Sequence, residues 1–194
     1  ASFTITASGD SSVKADARQL DTLENKCDNT VTCFNSASSD YDVTASDQAQ
    51  VEADAKQEIN LQNQCVGTFS ECSNNGDAIL SISAMDKSEV KANAQQLVSE
   101  LNECRGENQI CSNELFAFLG VEASDESSTN ANVHQTVTAE NECVADNLQC
   151  SNSGGADLFV ITSEQAEIDA NAHQLSNIRN ECRGVTDCGN SGFA

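Results

Sequence analysis

Short stretches of strict alternation recur along the chain. Phe3-Thr4-Ile5-Thr6-Ala7, Tyr41-Asp42-Val43-Thr44-Ala45, Leu80-Ser81-Ile82-Ser83-Ala84 and Leu119-Gly120-Val121-Glu122-Ala123 carry an apolar or small residue at every second position. A fifth stretch, Leu158-Phe159-Val160-Ile161-Thr162, is largely apolar. Period two with β-branched residues predicts a half-buried strand in each. A different pattern follows. Val13, Ala17, Leu20, Leu23 and Cys27 fall close to one helical stripe, with Leu97 and Leu101, then Leu175 and Ile178, in later copies. This predicts a helix of about 17 residues after each strand. Ser8, Ser46, Ser124 and Ser163 supply N-cap chemistry, and Asp47 with Gln50 and Asp86 with Glu89 resemble capping boxes. Asn29, Gly67, Gly106 and Gly184 suit left-handed residues at the helix ends. Ala145 breaks that rule, so the fourth helix end is expected to be the weakest.

The elements repeat with the cysteines. Ten Cys fall in five close pairs, Cys27/Cys33, Cys65/Cys72, Cys104/Cys111, Cys143/Cys150 and Cys182/Cys188, and the first of each pair recurs every 38 or 39 residues. A fixed period of this size marks a repeat architecture. Aligned on that Cys, Ala15, Ala53, Ala92, Ala131 and Ala170 form one column. Gln19, Gln57, Gln96, Gln135 and Gln174 form a second, and Asn25, Asn63, Asn102, Asn141 and Asn180 a third. Beyond the second Cys stand Asn35, Asn74, Asn113, Asn152 and Asn190. Units 1–38, 39–77, 78–116, 117–155 and 156–194 tile the sequence as one repeat domain.

One strand and one helix cannot bury an apolar face alone, but stacked neighbours can. The expected fold is an α/β tandem-repeat solenoid of five strand–helix–disulfide-loop units. Parallel strands lie on one side and helices on the other, and the Ala columns let helices approach closely. An alternative folds Phe69–Asn74 back through Asn75-Gly76 onto Ile79–Ile82, a hairpin that would make each unit ββα. The Gln and Asn columns are expected to stack as polar ladders.

Even, regular Cys pairs in a chain with only His134 and His173 read as disulfides and an oxidising compartment. Structural zinc prefers C-x2-4-C knuckles, and the gaps here are wider. Pairing within each unit clips the end of the helix to the return segment. Pairing between units (Cys33 with Cys65, Cys72 with Cys104, and onward) would leave Cys27 and Cys188 to join successive subunits. The chain opens at Ala1 with neither Met nor an apolar leader, as expected of a mature secreted, extracellular product.

Charge removes several partners. Asp and Glu number 31 against 9 Lys and Arg, a formal net charge of −22. That argues against nucleic acid and anionic membrane surfaces. No apolar run reaches the roughly 18 residues of a spanning helix, so no membrane insertion is expected. Catalytic constellations are missing too. His134 and His173 share a column with Arg18, Lys56 and Gln95, no nucleophile–base arrangement recurs, and no Gly-rich phosphate loop is present. No enzyme activity and no cofactor are expected. Asp16 and Asp54 share a column with Asn93, Asn132 and Asn171, so no metal site is expected beyond weak divalent cations on an acidic surface. Asn-x-Cys, a rare glycan acceptor, occurs in all five units and is read as structural.

The end units show no polar capping faces. Phe3, Ile5 and Ala7 at one end, and Leu158, Val160 and Phe193 at the other, are expected to form a subunit interface. A head-to-tail contact repeating the internal contact generates an open helical polymer. The expected function is therefore the subunit of a secreted, disulfide-stabilised filament or surface appendage whose partner is itself. The alternative is a monomeric extracellular module that binds a polysaccharide, mineral or ice lattice. An ice face needs ranked Thr, and Thr4 and Thr6 are followed by Asp42 and Thr44, Ser81 and Ser83, then Gly120 and Glu122.

Overall fold

A computed structural model of the chain describes residues 1–29, 32–183 and 186–193. It is a β-solenoid of five turns built from two parallel sheets. The first sheet holds β1 (Ser2–Ala7), β3 (Thr32–Ala45), β5 (Glu71–Ala84), β7 (Ile110–Ala123), β9 (Leu148–Thr162) and β11 (Thr186–Phe193), hydrogen-bonded in that order. The second holds β2 (Ser12–Asp28), β4 (Gln50–Thr68), β6 (Glu89–Glu107), β8 (Ser128–Asp146) and β10 (Glu167–Arg183). Each strand pairs with its counterpart 38 or 39 residues away, so like residues stack on like: Ala15 on Ala53 on Ala92, Cys65 on Cys104.

The expected strands are present, as β1 and the C-terminal parts of β3, β5, β7 and β9. The expected helices are not. Among the described residues there is no helix, and the segments assigned to helices are β2, β4, β6, β8 and β10. The N-cap and capping-box residues instead form corners between sheets. Asp47 and Gln48 have φ of 55° and 67°, Asp86 and Lys87 φ of 54° and 63°, and Ala49 N–H donates to Ser46 C=O at 3.1 Å. The hairpin alternative is overturned as well, because β5 runs straight through Asn75 and Gly76.

The physical reason lies in the even spacing of the columns. Val51, Ala53, Ala55, Gln57, Ile59, Leu61, Asn63 and Cys65 are separated by two residues each, and burial alternates along all of β4. A helix would scatter these side chains around its circumference; a strand turns them all inward. Ala, Gln, Glu and Lys favour helices by a few tenths of a kcal/mol per residue, about the size of an ordinary propensity difference. Burial of the stacked inner face outweighs it. Leu20 and Leu175, assigned to the apolar stripe, point outward and are 55% and 51% exposed.

The left-handed residues were read correctly from sequence but placed in the wrong element. Gly67 and Gly106 have φ of 139° and 136° at strand ends, where a Cβ on Gly67 would fall 2.9 Å from the Asn29 backbone. Ala145 belongs to β8 as Gly67 belongs to β4 and Gly106 to β6, whereas Asn29 follows the end of β2 and Gly184 lies outside the described residues.

The inner faces meet in layers. At one corner Val51, Ala53 and Val90 pack against Tyr41, Val43, Leu80 and Ile82. In the middle Ile59, Leu61, Val98 and Val137 pack against Ala78, Leu115 and Ala117. At the other corner lie the cysteines. The Gln column separates the first layer from the second, and the Asn columns separate the second from the third.

Asn102 is a core position and Asn93, on the same strand, a surface one. Asn102→Leu removes the acceptor of one Asn74 hydrogen bond and the donor to Asn113 and Asn141, at about 0.5–1.5 kcal/mol for each bond lost. Asn93→Leu is expected to change stability by about 0.5 kcal/mol or less. Urea unfolding of the two variants should show that contrast, and equal losses would contradict the inward orientation of the column.

Candidate functional site: amide ladders, sulfur column and open coil ends

The two Asn columns form one chain of hydrogen bonds. Asn35 Nδ2 donates to Asn63 Oδ1 at 2.9 Å, Asn63 to Asn74 at 2.9 Å and Asn74 to Asn102 at 2.9 Å. The zigzag continues through Asn113, Asn141 and Asn152 to Asn180. It begins at Asn25, which donates to Asn35 at 2.6 Å. Every amide also reaches a backbone carbonyl of the facing sheet, as Asn63 does at Ser73. The sequence placed Asn25, Asn63, Asn102, Asn141 and Asn180 in a ladder. It did not place Asn35, Asn74, Asn113, Asn152 and Asn190 with them, although their fixed distance from the second Cys was the available signal.

The Gln column runs the opposite way. Gln96 Nε2 donates back to Gln57 Oε1 at 3.0 Å, Gln135 to Gln96 at 2.8 Å and Gln174 to Gln135 at 2.9 Å. Gln57 donates to Gln19 at 3.3 Å and to the carbonyls of Ser39 and Ile79. Donors therefore point toward the last turn in the Asn ladder and toward the first turn in the Gln ladder. Among the described residues no donor reaches Asn25 Oδ1 or Gln174 Oε1, the two acceptors left at opposite ends.

All ten cysteines are paired within their own turns: Cys27–Cys33, Cys65–Cys72, Cys104–Cys111, Cys143–Cys150 and Cys182–Cys188. Each bridge joins the two sheets at the corner, where the column pattern of the sequence predicts a helix end. The bridges stack into a continuous sulfur column. Among the described residues, the groups with metal-ligand proximity are cysteine sulfurs, and all of these are held in disulfides.

The residues expected at the subunit interface occupy the first and last turns. Phe3 is 37% exposed and stacks on Tyr41 with ring centroids 5.2 Å apart, while Ile5 and Ala7 are buried. Leu158, Val160 and Phe193 are 40%, 44% and 47% exposed. Equivalent inner residues, Leu80 and Ile82, are fully buried beneath the turn that follows them.

On the outer face of the second sheet, a groove of about 560 Å³ runs across four turns. The column from Asp16 to Asn132 forms one wall and the column from Arg18 to His134 the other. Asn93 donates to Asp54 at 2.9 Å within the first wall. At the opposite corner Asp125 and Glu164 share a hydrogen bond that lowers the Asp125 pKa and raises that of Glu164. No helix among the described residues is long and apolar enough to cross a membrane. No family model, curated protein or solved structure matches the chain.

One ionisable group inside the coil escaped the sequence reading. Glu100 is 1% exposed in the column of Leu61 and Ala139, and among the described residues no side-chain donor reaches its carboxyl. Gly76 makes room for it, since a Cβ there would meet Glu100 Oε1 at 2.8 Å. Burial, with help from the neighbouring acids Asp77 and Glu114, pushes the Glu100 pKa up to about 9. The signal was an acid interrupting an apolar column opposite a glycine. Because the folded pKa lies above the ordinary 4.5, this group's contribution is fully present below pH 4.5 and is lost as pH rises through about 9. Glu100→Leu should therefore exceed the wild type in urea midpoint by a margin that is smallest at pH 4 and widens toward pH 9. A margin that stays constant with pH would contradict the buried, protonated carboxyl.

Proposed function

We propose that the chain is a structural subunit of a secreted, disulfide-stabilised extracellular filament that grows head to tail by continuing its own coil. The observation that carries this reading is the opposed polarity of the two ladders. A second copy stacked in the same direction would bring its Asn25 Oδ1 over the Asn180 and Asn190 amides. It would also bring its Gln19 amide over Gln174 Oε1. A copy stacked in the opposite direction would set donor against donor or acceptor against acceptor. Head-to-tail contact also covers the exposed Leu158 and Val160 and pairs the sheet edges of β9, β10 and β11, which are otherwise templates for association. The role is structural and asks for no catalytic group and no cofactor. The charge of −22 keeps fibres apart laterally, and salt or divalent cations at the acidic surface screen that repulsion.

The groove on the second sheet favours one other reading, a monomeric module holding a linear polysaccharide along the coil axis. Negative-stain electron microscopy of the non-reduced protein over a concentration and salt series separates the two. The filament reading expects fibres with an axial rise per subunit of about 24 Å, five strand spacings of about 4.8 Å. Discrete particles under every condition would overturn it in favour of the binding module.

A further inference from the structure

The sulfur column is more than five separate clips. The Sγ atoms of Cys27, Cys33 and Cys65 all lie within 4.8 Å of one another, as do those of Cys104, Cys111 and Cys143, and those of Cys143, Cys150 and Cys182. Three of the four between-turn pairs, Cys33/Cys65, Cys111/Cys143 and Cys150/Cys182, are therefore as close as thiol–disulfide exchange requires at the outset. Five of the inner sulfurs are on fully buried residues, whereas Cys188 is exposed and Cys27 and Cys182 are partly so. The column is shielded along its length and open at its ends.

We propose that this column has two pairing registers, and that stacking of subunits rewires it from within-turn to between-turn bonds, ending in a disulfide from Cys188 of one copy to Cys27 of the next. The proposal rests on the filament reading. The chemistry is a closed chain of exchanges started by a low-molecular-weight monothiol. Its thiolate attacks Cys27, the Cys27–Cys33 bond breaks, and Cys33 leaves as thiolate. Cys33 attacks Cys65 and releases Cys72; Cys72 attacks Cys104 and releases Cys111. Cys111 attacks Cys143 and releases Cys150; Cys150 attacks Cys182 and releases Cys188. The Cys188 thiolate then attacks Cys27 of the next copy at its mixed disulfide and returns the monothiol. Each step breaks one S–S bond and forms one. A copy inside the fibre holds five disulfides before and after, counting one junction per copy, so no oxidant is consumed. An isolated chain gains nothing from the second register, because Cys27 and Cys188 would be left without each other's neighbouring copy.

The test is assembly of the full chain with a catalytic amount of glutathione, followed by alkylation in acid. Microscopy, a non-reducing denaturing gel and mass-spectrometric disulfide mapping are then run on the same sample. The expected result is fibres, a gel ladder at multiples of the subunit mass, and peptides joining Cys33 to Cys65 and Cys111 to Cys143. The double variant Cys27→Ser, Cys188→Ser keeps all four between-turn bonds. It should form fibres that run as monomer on the gel. Wild-type fibres that run as monomer with only within-turn peptides would overturn the rewiring and leave the filament standing. A ladder that persists in the double variant would also overturn it. Absence of fibres would overturn both.

Discussion

A side-chain amide buried in a protein core must find its partners or lose about 1–3 kcal/mol. In this coil those partners sit one turn away. Asn102 is satisfied by Asn74, Asn113 and Asn141, which belong to the turns below, beside and above it. A strand that slipped by two residues would keep its apolar face inward but would set amides against Ile or Val. The ladders thus hold the register that hydrophobic burial alone leaves loose, because β-alternation is indifferent to a shift of two. The apolar layers supply most of the favourable burial, and the amides choose which stacking receives it.

Much of this was legible from the chain. The period, the five-turn count, the strands ending in Ala45 and Ala84 and the use of the cysteines in disulfides all follow from columns that agree with one another, while the choice of within-turn over between-turn bonds came from the structure. The helices did not follow, for a reason visible in β4. Its inward residues include Ala53, Ala55, Gln57 and Asn63, which are small or polar, and its outward residues include Val66 near the end. Hydropathy alternation is therefore faint, and Ala, Gln, Glu and Lys carry helical propensity. Geometry was written instead in the spacing of the Ala, Gln and Asn columns before the first Cys, each two or a multiple of two residues from it. The core polar groups were legible as columns, while the partner of each Asn was not. Which two columns face each other depends on how the chain turns at the cysteine corner.

The electrostatics divide cleanly between outside and inside. The ion pairs, such as Lys14–Glu52 at 2.9 Å and Lys87–Glu126 at 3.2 Å, lie on the surface, where such contacts add little. Glu100 is kept in its acid form at neutral pH, and the inward-facing acid of the first turn, Asp21 in the column of Ile59, pairs with the N-terminal ammonium at 3.7 Å. Large and small residues alternate across that part of the core. Glu100 fills the space beside Gly76 of the facing sheet, whereas Leu115 and Gly154 are neighbours in one column of the first sheet. Volume is conserved between the sheets even where it drifts along a single column.

The segment between paired cysteines has a separation of 6 in the first and last turns and 7 in the three inner ones. Within one chain this is a minor irregularity at the two extremes. In the proposed fibre the two short segments become neighbours, the last of one copy beside the first of the next. The fibre surface would then carry a landmark at each joint and nowhere else, a graduated scale along an otherwise uniform rod. A molecule able to sense one missing residue in a corner could count subunits without reading any other part of the sequence.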